Sequence, residues 1–190
     1  MKKFLILLFF PFLISTLTSC SDSTSAIEEE EEEKIDDKLA DIEPGTGAYS
    51  LSGAINKDVT GIAGFYHMMF DGVMIFTIFI TEESDDYFDL EFTISYVGDT
   101  LPEAGTYKVG QLTGDPDYAY GFLQSLVDES ILYCTDWVES GNSSGTLVIT
   151  EITQESIKGT FEFEAKFSNE VGSTESLKFT NGLFHAKIWD

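Results

Sequence analysis

Apolar and polar residues alternate without a break from Phe161 to Phe167, where Phe161, Phe163, Ala165 and Phe167 are separated by Glu162, Glu164 and Lys166. A period of two belongs to a β-strand with one packed face and one wet face, because successive side chains leave the pleat on opposite sides. The runs Gly145 to Thr150 and Ser156 to Phe161 flank Thr153 to Glu155 and read as a hairpin. Val73 to Thr81 is apolar on both faces and predicts a central strand. Asp71-Gly72 just before it is a two-residue type I′ turn signal. Counting outward from that turn sets Phe70 against Val73 and His67 against Phe76. His67 then shares a face with Phe65, Met69, Met74 and Ile78, and is expected in the core.

No long segment has a period of 3.6, and the short runs of strand formers are punctuated by 16 glycines. The pattern predicts an all-β domain over residues 46–190. About nine or ten antiparallel strands are expected, in a β-sandwich or flattened β-barrel. A chain of this length buries roughly two-thirds of its unfolded surface.

The N-terminus follows a different pattern. Lys2 and Lys3 precede an almost unbroken apolar run from Phe4 to Ile14. That is a secretory n-region and h-region, shorter than the roughly 20 residues of a membrane-spanning helix. Leu17-Thr18-Ser19-Cys20 follows and resembles a lipobox, the signal for diacylglyceryl transfer to a cysteine. The expected division is a lipoprotein signal peptide at 1–19, lipid attachment at Cys20 and an acidic disordered linker at 20–45. The two or three acyl chains of such a lipoprotein anchor durably, whereas one chain, at ~0.8 kcal/mol per buried methylene, holds only marginally. The linker holds six consecutive glutamates, Glu28 to Glu33, and too little apolar surface to offset its ordering entropy. Extended, it reaches on the order of 50 Å.

Charge narrows the function classes. The net charge is −24, and loss of Lys2 and Lys3 with the signal peptide takes it to −26. There is no arginine, no basic stripe, no Walker loop and no dinucleotide fingerprint. Nucleic acid is excluded as a partner, because phosphate and base contacts depend on those groups. With Cys20 acylated, Cys134 has no disulfide partner. No lysine or histidine lies near it in sequence to activate it, so it reads as a small apolar filler.

The C-terminal third carries GTLVIT from Gly145, IKGTFEFEA from Ile157 and TNGLF from Thr180. This arrangement resembles the end of domains of unknown function found in Bacteroidota lipoproteins. It covers about Gly145 to Ile188, and Gly105-Thr106-Tyr107 upstream also fits. The resemblance implies turn glycines and core phenylalanines, and it carries no catalytic residue across.

The candidate chemistry lies in carboxylates and aromatics. Glu82, Glu83, Asp85 and Asp86 crowd a turn, and Asp89 and Glu91 share one strand face. Glycoside hydrolysis needs two carboxyls about 5–10 Å apart across a cleft. The bland alternative is a solvated acidic face, with weak calcium binding at Glu82–Asp86 or Asp115/Asp117 as a variant. No zinc motif and no G-x-S-x-G elbow occurs. The stretch from Tyr118 to Trp137 is rich in aromatics. A turn at Val127 to Ser130 would pair Leu126 with Ile131 and set Tyr120 opposite Trp137. One face would then hold Tyr118, Tyr120, Phe122, Tyr133 and Trp137. Such a face is ordinarily core. As an exposed platform it would stack sugar rings or a partner surface, with the small-residue face packed instead.

The resulting expectation is a lipid-anchored lipoprotein of the outer membrane, facing periplasm or cell exterior, with a non-enzymatic β domain for binding or support. Its partners are the membrane, through the N-terminal lipid, and a glycan or envelope protein. Tyr120 and Trp137 are the contact pair. No catalytic residue, cofactor or metal is assigned. The alternatives are a polysaccharide hydrolase using paired carboxylates and a subunit of a larger envelope assembly. Tyr120 and Trp137 on one concave face would favour glycan. Carboxyls facing across a cleft would favour hydrolysis, and an uncovered apolar edge strand would favour assembly.

Overall fold

Asp71 and Gly72 have φ of 51° and 81°, the left-handed pair that a type I′ turn requires. The turn fixes the register as counted, with Phe70 opposite Val73 and His67 opposite Phe76. This hairpin belongs to a computed structural model that describes Leu39 and residues 41–84, 87–139, 141–168 and 174–189.

Ten strands form in chain order: β1 Thr46–Gly53, β2 Lys57–Phe70, β3 Val73–Glu82, β4 Phe88–Val97, β5 Gly105–Gly110, β6 Tyr118–Ser125, β7 Leu132–Cys134, β8 Gly145–Ile152, β9 Ser156–Phe167 and β10 Ser176–Ile188. Nine of them close on themselves in the order β1-β2-β3-β4-β6-β5-β8-β9-β10, with β10 returning to β1. The architecture is a closed barrel. Where β5 and β8 stop short, β7 fills the wall by pairing with both β6 and β9.

Two pairings depart from the expected antiparallel pattern. β5 and β6 run parallel, with Val109 beside Ala119. Residues 111–117 carry the chain back before β6 begins, and a tight turn ends that return. Tyr118 N–H donates to Asp115 O at 3.1 Å, and Asp117 N–H to Asp115 Oδ1 at 3.0 Å. β10 also touches β2 in parallel, at Lys187–Gly64 and Ile188–Phe65.

Phenylalanine fills the interior. Phe65, Phe76, Phe92, Phe161, Phe179 and Phe184 are fully buried. Phe163 and Phe179 stack at 4.1 Å, and Phe92 meets Phe161 at 4.8 Å. The alternation of β9 is realised, with Phe161, Phe163 and Ala165 inside and Glu162 exposed. Gly64 is needed on the outer surface, since a Cβ there would lie 2.3 Å from the Phe79 ring.

Part of the segment read as linker lies against the barrel. Leu39 is buried, beside a hollow of about 260 Å³ lined by Val148, Thr160, Phe161 and Leu183. His185 Nδ1 lies 3.4 Å from Ile42 O. Cys20 and the rest of the segment read as linker lie outside the described residues.

Two expectations are corrected. His67 is exposed rather than core, although Phe65 and Phe76 on its face are fully buried. β2 runs on past the end of its β10 pairing at Phe65, so His67 has no strand beside it there among the described residues, while β3 keeps β4 as far as Val97 and Met74 stays buried. The β6–β7 register differs by one residue: Phe122 faces Cys134 and Gln124 faces Leu132. Ser125 N–H donates to Ile131 O, and Ser125 Oγ accepts from Val127 N–H at 3.2 Å and Asp128 N–H at 3.0 Å. Those bonds hold the chain in a longer loop than the one counted, and a one-residue shift exchanges the faces.

Phe161 touches the rings of Tyr49, Phe92, Phe163 and Phe184. Phe161→Ala is expected to cost about 3–5 kcal/mol, read as a lower urea midpoint at unchanged slope. A loss below about 1 kcal/mol would mean that the interior recloses around the gap.

Candidate functional site: the outer wall and the open edge

In β6, Ala119, Gly121 and Leu123 point inward beside Ile94, Phe92 and Leu90 of β4, and Tyr120 and Phe122 stand outside, half-buried. The small-residue face is the packed one. Gly121 shows this directly, since a Cβ there would meet Phe163 and Val109 of the interior. Register then builds one row across the outer wall: Phe79 faces Glu91, Glu91 faces Phe122, Phe122 faces Cys134 and Cys134 faces Lys166.

Tyr120 and Trp137 are not a cross-strand pair. β7 ends at Cys134, and Trp137 sits in the turn that follows, 41% exposed. Thr135 anchors that turn. Its hydroxyl donates to Gly110 O at 2.6 Å and accepts from Gly121 N–H at 3.1 Å. Tyr120 packs beside Phe122 with ring centroids 5.9 Å apart. Its phenol is pushed upward, first by burial and then by Cys134 and Asp136. Lys166 Nζ lies 4.0 Å over the Trp137 ring, so one face of the indole is already occupied by a cation. Cys134 and Lys166 thus stand between the two aromatics that the sequence proposed as partners. Cys134 is buried as expected, but it faces a lysine that separation along the chain concealed.

Asp89 and Glu91 point outward from β4, between Thr81 and Phe79 on β3 and Gln124 and Phe122 on β6. Thr81 Oγ1 donates to Asp89 Oδ1 at 2.7 Å. Glu91 is raised to about 7, by burial first, then by the neighbouring charge of Asp89 and a hydrogen bond with it. The two carboxyls lie side by side on one strand rather than across a cleft.

Glu82 is not a solvated turn residue. It points into one end of the barrel, buried, and pairs with Lys57 at 2.7 Å. Lys57 Nζ also donates to Ser84 Oγ at 3.3 Å and lies 5.5 Å over the Phe88 ring. Glu82 Oε2 and the Tyr49 hydroxyl are buried without a hydrogen-bond partner among the described residues. Burial, followed by the charges of Glu82 and Asp89, raises the Tyr49 phenol. Counting from Asp71-Gly72 puts Glu82 in the inward series of Ile78 and Ile80, so this burial was legible in principle. Asp85 and Asp86 lie outside the described residues. Asp115 accepts the Asp117 N–H within an exposed turn. Among the described residues, no three metal-ligating side chains gather.

The last feature is an edge. β10 accompanies β2 only to Phe65, where Trp189 N–H donates to Phe65 O at 2.8 Å. From His67 to Phe70 no strand lies on that side among the described residues. Met68, Met69 and Phe70 are 48%, 49% and 72% exposed, and Val97 beside the hairpin is 85% exposed. Apart from Asp71, no residue from Val59 to Thr81 carries a charge.

Fold and surface define a closed β-barrel domain with a solid core, whose polar and aromatic groups lie on its wall and rims. The chain belongs to the family Domain of unknown function (DUF6252), matched over residues 78–186. That span runs from β3 into β10, holding the outer wall but not β2. No curated protein and no solved structure matches the chain.

The raised Glu91 sets a pH dependence. A carboxyl held above its unfolded value keeps its proton longer when folded, so stability falls as pH rises from about 4.5 to about 7. Glu91→Gln is expected to flatten the slope of melting temperature against pH in that window relative to the native chain. Identical slopes would show that the proton is not held there.

Proposed function

We propose that this chain is a lipoprotein anchored through Cys20 at the outer membrane, and that its barrel is a non-enzymatic module that binds another protein. The observation that carries this reading is the uncovered apolar edge of β2 from His67 to Phe70. Natural sheets cover or charge such edges, with lysine or proline, because unpaired N–H and C=O groups recruit other strands. This edge has neither, in a chain that is elsewhere strongly acidic. Against catalysis stand the filled interior and the side-by-side placement of Asp89 and Glu91. The tether, the signal peptide and the membrane location rest on the N-terminal sequence.

A second reading, glycan binding, is favoured by the outward placement of Tyr120, Phe122 and Trp137. Stacking on Trp137 is limited to the ring face away from Lys166. It is weaker than the first because the two aromatics do not share a strand pair.

A photo-reactive residue placed at Met68, and separately at Trp137, in the lipidated chain within intact envelopes tests both readings. The Met68 position is expected to label a protein and the Trp137 position to label none. Labelling at neither position removes the protein-binding reading. A saturable melting shift with a polysaccharide, abolished by Trp137→Ala, would put the glycan reading in its place.

A further inference from the structure

We propose that the open edge of β2 takes the same edge of a second copy of this chain, pairing antiparallel about a two-fold axis at Met69. The inference rests on the protein-binding reading above and names the partner.

Strand parity selects the groups involved. Phe65 O points to the β10 side, where it accepts from Trp189, so the main-chain groups of His67 and Met69 point to the same, open side. Tyr66, Met68 and Phe70 are bonded instead towards Thr77, Ile75 and Val73 of β3. An antiparallel two-fold pair must join residues of like parity. The slot beside Tyr66 is taken by Trp189, which excludes a centre at Met68. A centre at Met69 uses only the open stretch. Met69 of each copy then exchanges N–H and C=O with its mate, and Met68 lies across from Phe70 of the other copy in a close, non-bonded pair.

Charge favours the same face. A chain of net charge −26 after processing repels its own copy over most of its surface. The β2–β3 hairpin is the long charge-free exception, with only Asp71 between Val59 and Thr81. In the proposed register the two Asp71 positions are four residues apart along the strand, about 13 Å, beyond a screening length of ~8 Å at physiological salt. The patch is small beside the roughly 800 Å² per partner of a standard interface. The dimer is therefore weak in dilute solution and strengthened where lipid tethers confine both copies to one surface.

The test uses the purified full-length chain in sedimentation, in solution and on neutral lipid vesicles, with oxidative cross-linking. The native chain is expected to show a monomer–dimer equilibrium shifted to dimer on vesicles, and Met69→Lys is expected to lose the dimer. Met69→Cys is expected to cross-link to itself faster than Val127→Cys, an exposed position at the other end of the barrel, with the native chain correcting for its own cysteines. A native chain that stays monomeric in both settings, or equal cross-linking rates at 69 and 127, overturns the proposal. If the Met68 position labels a different protein while the purified chain stays monomeric, the second copy is wrong and the protein-binding reading survives. If it labels nothing, both fail.

Discussion

Closure of the sheet is the constraint on which the rest of this molecule depends. In a closed barrel each strand surrenders both edges to neighbours, and the enclosed space has to be filled at the density of a solid. Phenylalanine does the filling here, with the rings of Phe65, Phe76, Phe92, Phe161, Phe179 and Phe184 meeting across the interior. With the centre occupied, chemistry is displaced to the wall and the two rims. Glu82 with Lys57 marks one rim, the bare β2–β3 hairpin marks the other, and the aromatic row with Glu91 crosses the wall between them.

The same constraint explains why β7 exists. β5 and β8 are too short to line the whole barrel, and a three-residue strand between β6 and β9 completes the wall below them. Thr135, fully buried, then ties the following turn to β5 and β6. Trp137 and its lysine are held outside by that tie. The wall therefore presents its aromatics from a fixed frame rather than from a free loop.

Much of the fold was legible in the sequence where a short-range rule dominates. Asp71-Gly72 dictated a turn type, the turn dictated a register, and nothing downstream changed it. Phe161 to Phe167 alternates so strictly that only one face can pack. The β6–β7 connection was not legible in this way, because Ser125 and Asp128 compete for backbone groups and lengthen the loop by their own hydrogen bonds. That one step put Cys134 rather than Tyr133 on the face of Phe122 and broke the supposed pairing of Tyr120 with Trp137. His67 failed for a different reason, since alternation tells which face a residue joins but not whether a neighbouring strand covers it, and β10 pairs with β2 only to Phe65. Glu91 beside Asp89 was visible as a pair, whereas its burial and its retained proton depend on Phe79 and Phe122 from neighbouring strands. The open edge of β2 depends on where β10 ends, which no local pattern encodes.

The place of β1 has a consequence for how the chain is made. The first strand lies between β2 and the last strand, and β10 bonds to β1, β2 and β9 together. The barrel therefore cannot close until its final thirteen-residue strand is available. Contacts between chain ends are the slowest to form, because loop-closure entropy is spent before they reward it. Until β10 is available the sheet stays open at β1 and β9, and the apolar faces that the barrel later encloses have no cover.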